Sequence, residues 1–213
     1  MKENNEMSKI DDVDEFYKSD FQAAYAIEDC VNDIAAWFKK PENRHAKAVI
    51  RLNGRDGANQ LNTLVNLSLC IKALGKENIM GICFTRRSDF VDIIREHYGI
   101  EKYAPFTREH LFDETLSLKG NIESSFRYGM NETESKEYFA LIYIAIMYGY
   151  ASCGRGRIIN PMNLTEVCLG TCEPYCNLDN YYSPLGNLTY TEVHMMAEEL
   201  GVPEDLLKEA LRL

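Results

Sequence analysis

The stretch Arg51-Leu-Asn-Gly-Arg-Asp-Gly-Ala-Asn59 follows an apolar run and precedes a helical one. A strand that turns through glycine into a helix aims backbone N–H groups of the first helical turn outward. Such a turn is a natural cradle for phosphate. Gly54 and Gly57 permit the turn, Arg51 and Arg55 bring positive charge, and Asp56 brings an acid. Asn53 opens the loop, and the whole stretch lacks lysine, serine and threonine. An anion held here is therefore gripped by backbone amides and arginine, without the usual hydroxyl and ammonium contacts.

A second stretch of this kind is Asn160-Pro-Met-Asn-Leu-Thr-Glu166, at the end of the apolar run 156–160. Asn163 and Glu166 have the spacing of a capping box, in which each side chain bonds the other's backbone N–H at a helix start. Other groups that do chemistry are scattered. Cys168, Cys172 and Cys176 recur at four-residue spacing, but Pro174 breaks any helix that would gather them and no histidine lies near. With Cys30, Cys70, Cys83 and Cys153 they make seven, an odd number, and we read them as reduced thiols with no structural metal. Cys153 stands beside Arg155 and Arg157 without an acid or histidine partner fixed in sequence. His45, His97, His110 and His194 are dispersed and read as helix-face or surface residues. The aromatic stretch 179–186, DNYYSPLG, suits stacking on a base or packing at a contact.

The elements that must position these residues follow from periodicity. Residues 10–40 carry one or two amphipathic helices, and 60–74 and 88–99 carry further ones, with Gly75 and Gly99 as stops. Runs 47–52, 78–84 and 156–160 are strands, with 102–106 a short fourth. Residues 107–116 read as a short helix, 117–132 as a polar loop and 133–151 as a long helix. Residues 188–211 hold a helix, a Gly-Val-Pro turn and a last helix. Residues 1–9 are polar and expected to be loose. Short apolar strands alternating with helices imply an α/β fold, a parallel sheet covered on both faces. In such sheets ligands sit at the carboxyl ends of the strands, which directs attention to the loops after 47–52 and 156–160.

The chain has 213 residues, 46% of them hydrophobic and 26% charged, enough for one domain with a real core. A net charge of −10 argues against nucleic acid or an anionic membrane as partner. The apolar run 139–151 is too short to span a bilayer, and the amino terminus lacks an apolar signal core, so a cytoplasmic location is expected.

At IKALGKENIMGICF (71–84) and SPLGNLTYTEVHMMAEELGVPEDLL (183–207) the sequence resembles the ammonia-dependent NAD+ synthetases. These are ATP-pyrophosphatases with an S-G-G-x-D-S phosphate loop. The resemblance covers nearly the whole chain. It implies a three-layer Rossmann-like fold of the adenine-nucleotide alpha-hydrolase type, an adenine nucleotide or dinucleotide ligand, ATP and Mg2+ as cofactors, and a homodimer. The reaction it implies is adenylation of deamido-NAD by ATP, then displacement of AMP by ammonia. Positions that build the fold agree: Gly75, Gly81, Gly170, Pro184, Gly186, Val193, Gly201 and Pro203.

Positions that handle phosphate or metal mostly differ. Against S-G-G-x-D-S stands Asn53-Gly54-Arg55-Asp56-Gly57-Ala58, with Asp56 one residue early. In the second loop Asn163 and Glu166 match, Thr165 replaces serine, and Pro161 and Leu164 stand for threonine and lysine. The resemblance makes Glu166 a Mg2+ ligand; the residues by themselves favour the capping box. Downstream, Pro174 and Tyr190 replace lysines, and Asn177 and Asn187 replace aspartates. The expectation is a synthetase scaffold with impaired or altered chemistry. The alternative is a nucleotide-binding regulatory or interaction protein on the same fold.

Overall fold

The computed structural model of the protein describes residues 20–52, 57–82, 88–100, 103–104, 108–171, 181–204 and 206–207. Five parallel strands form one sheet in the order β3-β2-β1-β4-β5. They are β1 (Lys47–Arg51), β2 (Ile79–Ile82), β3 (Tyr103–Ala104), β4 (Gly156–Ile159) and β5 (Tyr181–Tyr182). The helices are α1 (Ala23–Lys39), α2 (Gly57–Leu74), α3 (Ser88–Tyr98), α4 (Arg108–Phe126), α5 (Glu132–Gly154), α6 (Leu164–Leu169) and α7 (Tyr190–Glu199).

Strand β1 shows why the sheet is double-covered. Ala48, Val49 and Ile50 are all buried, although their side chains alternate between the faces. Ala48 and Ile50 join Ile34 of α1, Leu61, Leu64 and Val65 of α2, and Val193 and Met196 of α7. Val49 faces the other way, with Ile82, Ile158 and Met147 and Ala151 of α5. The three-layer Rossmann-like architecture is thus built from α1, α2 and α7 on one side and α5 on the other. Helix α2 is the centre of the thick layer: its residues 60–70 are buried without a break.

The punctuation is local. Gly75 takes φ +82° where α2 ends, a conformation that costs other residues strain. Helices α5, α6 and α7 each open on a complete capping box, at Asn131, Asn163 and Thr189. Gly156 lets β4 start close against β1: a Cβ there would run into Cγ2 of Val49. Leu206 and Leu207 are buried beyond the Gly-Val-Pro turn, where the Leu207 N–H donates to the Pro203 carbonyl.

One expectation is overturned. Residues 117–126 are not a loop; α4 continues through them to Phe126. A single Gly120 costs a helix only about 1 kcal/mol, and a Lys119–Glu123 pair one turn apart supports the run. The turn is short and begins at Arg127, which has φ +52°. Its geometry is set by Glu123, whose carboxylate accepts the Met130 N–H at 2.7 Å. The amino-terminal residues 1–9 lie outside the described residues.

Candidate functional site

The strand order reverses between β1 and β4: the chain passes from β1 outward through β2 to β3, then returns to lay β4 on the other side of β1. The carboxyl ends of β1 and β4 are therefore adjacent, and the space above them is the crevice at the switch point of the sheet. That crevice is where open α/β sheets take their ligands. The two stretches singled out in the sequence follow these two strands in the chain.

In the first loop, Asn53, Gly54, Arg55 and Asp56 lie outside the described residues. Gly57 is the first residue of α2. In the second loop, Asn160 directly follows the strand. Its N–H donates to the Tyr182 carbonyl at 2.9 Å, and its Oδ1 accepts the Met162 N–H at 3.2 Å. Asn163 then caps α6. Its Oδ1 accepts the Glu166 N–H at 2.9 Å, and Glu166 Oε2 accepts the Asn163 N–H at 2.9 Å. Both halves of the capping box are present. Thr165 faces α7: its Oγ1 accepts the Tyr190 N–H at 2.9 Å. Tyr190 is half-buried, and that burial raises its phenol pKa. It stands beside the second loop, where the resemblance puts a lysine, and supplies no positive charge. Asn187, in the preceding turn, is exposed.

Four polar residues of α2, the helix that leaves the first loop, were not anticipated, and two of them reach the second loop. Gln60, Asn62, Thr63 and Asn66 are all buried. Asn62 Nδ2 donates to Glu166 Oε2 at 3.0 Å, and its Oδ1 accepts Asn163 Nδ2 at 3.1 Å. Asn66 Nδ2 donates to the Asn160 carbonyl at 3.4 Å. The Gln60 Oε1 and Asn66 Oδ1 atoms are buried and find no hydrogen-bond partner among the described residues. The only signal for these residues was four polar side chains set within an otherwise apolar helix, QLNTLVNL.

These contacts test the metal reading of Glu166. Mg2+ needs oxygen lone pairs, from one or two carboxylates together with ligand phosphates. Glu166 Oε2 already accepts from a backbone N–H and a side-chain amide. Among the described residues no three histidine, cysteine, aspartate or glutamate side chains group to hold a metal ion. The donor set described does not fit a divalent cation on that oxygen.

The other sequence candidates are dispersed. Cys153, Arg155 and Arg157 lie at the amino end of β4, the far edge of the sheet from the crevice. Arg157 is committed there: its Nε donates to Asn43 Oδ1 at 2.8 Å and its Nη2 to the Glu42 carbonyl. Cys168 is exposed on α6, and Cys83, Cys172 and Cys176 lie outside the described residues. Burial pushes the Cys30 thiol up to about 11, with Asp33 and Asp29 adding to the effect, and burial raises Cys70 as well. His194 stands 3.8 Å from Glu198 on α7, and His97 packs edge-on against Tyr98. Tyr182 does stack on a ring, but on Trp37 within the fold, at 5.0 Å between centroids.

Comparison with known proteins agrees with this architecture. Residues 31–210 match the family model described as NAD synthase. An NH(3)-dependent NAD(+) synthetase of Methanococcus aeolicus is 26% identical over 157 residues, 67% of this chain and 57% of that protein. The one from Methanocaldococcus jannaschii is 24% identical over 208 residues, 86% of this chain and 70% of its own. The chain thus spans little more than half of the first relative. Among solved structures, an NH3-dependent NAD synthetase from Campylobacter jejuni superimposes with a TM-score of 0.71 at 18% identity, covering 89% of this chain and 78% of that one. With the family model matching most of its length, the chain belongs to the NAD synthase family.

Proposed function

We propose that this protein is an NAD+ synthetase-like member of its family, with impaired or altered catalysis of the family reaction, the ATP-dependent amidation of deamido-NAD. The relatives named above act as NH3-dependent NAD+ synthetases, and the crevice between β1 and β4 is the place for the nucleotide. The observation that carries the reading is the chemistry of the crevice wall. Among the described residues its buried polar side chains are uncharged: the amides of Gln60, Asn62, Asn66, Asn160 and Asn163 and the hydroxyl of Thr63. Adenylation needs cationic donors or a metal to draw charge onto departing pyrophosphate. Amides orient a nucleotide but neutralise none of that charge.

Ligand binding is assigned to the backbone amides around Gly54 and Gly57, with Asn53, Arg55 and Asp56 completing the first loop and Asn163, Thr165 and Glu166 the second. The ligand class is an adenine nucleotide or dinucleotide. A cytoplasmic homodimer is the expected form. Its contact is the stretch 138–151 of α5, which is apolar on every side and of which only Met147 and Ala151 are buried. The test is incubation with Mg-ATP, deamido-NAD and ammonia, followed by chromatography for AMP and NAD+. Turnover comparable to a family synthetase run alongside contradicts the reading. Absent turnover, calorimetric binding of ATP or NAD separates a binding relative from a protein that no longer uses the crevice.

A further inference from the structure

The capping box at α6 needs two residues, Asn163 and Glu166. Here a third joins it from an element 104 residues away in sequence. Asn62 is fully buried on α2, five residues past the first loop's Gly57. Both ends of its amide are used: Nδ2 reaches Glu166 Oε2 at 3.0 Å, and Oδ1 receives Asn163 Nδ2 at 3.1 Å. The helix that leaves the first loop and the helix that leaves the second are pinned together through one side chain.

The direction of the bond to Glu166 matters. A cation bridging these groups would need an acceptor at position 62. An amide N–H presents a hydrogen there instead and takes up the carboxylate lone pair. The backbone N–H of Asn163 takes up another on the same oxygen. Aspartate at position 62 could keep the bond from Asn163 Nδ2 while turning a second carboxylate oxygen toward Glu166. The present residue supplies the same shape with the opposite hydrogen-bonding sense.

We propose that Asn62 is a positioning residue that fixes Glu166 as a hydrogen-bond acceptor joining α2 to α6 and keeps divalent cations off it. A phosphate-bearing ligand in the crevice is then met from the second loop by neutral groups rather than by a metal held on Glu166. The inference rests on the crevice being the family's nucleotide site, and it names what the second loop contributes there.

The test uses the full-length protein and Mn2+ as the probe, with free Mn2+ followed by electron paramagnetic resonance. Wild type and Glu166→Gln are expected to give superimposable isotherms, because glutamine accepts the same two bonds and no cation site is lost. Asn62→Asp is expected to gain a Mn2+ site, with an upward shift in its melting midpoint on adding Mn2+ that is absent from wild type and reduced in Asn62→Asp/Glu166→Gln. A wild-type site that Glu166→Gln abolishes would overturn the proposal, as would a folded Asn62→Asp indifferent to Mn2+. If Asn62→Asp does not fold, the comparison of wild type with Glu166→Gln still decides. The amidation assay reads a different quantity. NAD+ formation with unchanged Mn2+ isotherms removes the impaired-catalysis reading and leaves this one standing, whereas a Glu166-dependent Mn2+ site in an inactive protein does the reverse.

Discussion

Asn62 Nδ2 lies 3.0 Å from Glu166 Oε2, so an amide on the first loop's helix holds the carboxylate of the second. The two side chains are far apart in sequence and meet only because β4 returns to lie beside β1. Three groups, Asn62, Asn163 and Glu166, then satisfy one another in a buried or half-buried setting. Removing one leaves the others short of partners.

Glu166→Ala strands the Asn163 N–H and Asn62 Nδ2 together. Unpaired buried donors cost about 1–3 kcal/mol each, so a loss of about 2–4 kcal/mol in urea unfolding is expected. Glu166→Gln keeps an acceptor in place and is expected to lose less than about 1 kcal/mol. Equal losses for the two variants would show that the charge, not the acceptor, is what the fold uses.

The α4–α5 turn should be sensitive to acid. The Lys119 ammonium and the Met130 N–H both bond Glu123 and hold its carboxyl below the usual range, Lys119 having the larger effect. A carboxyl depressed in the folded state supports the turn fully above its unfolded pKa and loses that support as pH falls through the folded value. In an NMR titration the Met130 amide proton is expected to shift with a midpoint below that of free glutamate. Glu123→Gln should abolish the transition. A midpoint at or above the free value would contradict the assignment.

Thiol reactivity is expected to follow burial. Cys153 and Cys168 are exposed, whereas Cys30 is pushed up to about 11 and Cys70 is fully buried. Alkylation requires thiolate, and a thiol raised from its ordinary 9.0 to about 11 carries about a hundredfold less of it near neutral pH. Timed iodoacetamide labelling read by peptide mass spectrometry should show Cys153 and Cys168 modified long before Cys30. Early labelling of Cys30 would mean that α1 does not pack as described.

Helix α5 should be the dimer contact. No charged residue falls between Glu137 and Arg155, so two copies of a chain with net charge −10 meet there without like-charge opposition. Sedimentation equilibrium is expected to give twice the 24.4 kDa chain mass. Leu141 is exposed on this helix, and Leu141→Arg should shift the species to monomer. A monomeric wild type, or a dimer untouched by Leu141→Arg, would argue against this face.

Much of the fold was legible because its signals are local. The AVI core of β1, the stop at Gly75 and the Asn163–Glu166 box each follow from spacing within a few residues. The extension of α4 was not legible, since Gly120, Asn121 and two serines look like loop while the Glu123 contact to Met130 is visible only in space. Asn62 was missed for a stronger reason. A polar residue inside an apolar helix reads as a blemish in the periodicity, and its partners Asn163 and Glu166 are set by topology, not by sequence spacing.

The most direct test of the account is the first half-reaction alone. Exchange of labelled pyrophosphate into ATP, in the presence of deamido-NAD and Mg2+, measures adenylation without ammonia or product release. Lost oxyanion-type stabilisation is worth about 10²–10³ per group, so exchange is expected to be at least ~10³-fold slower than in an NH3-dependent NAD+ synthetase measured alongside. Exchange within about tenfold of that enzyme, a difference of only about 1.4 kcal/mol in barrier, would contradict the claim that uncharged side chains stand where groups that stabilise pyrophosphate are needed.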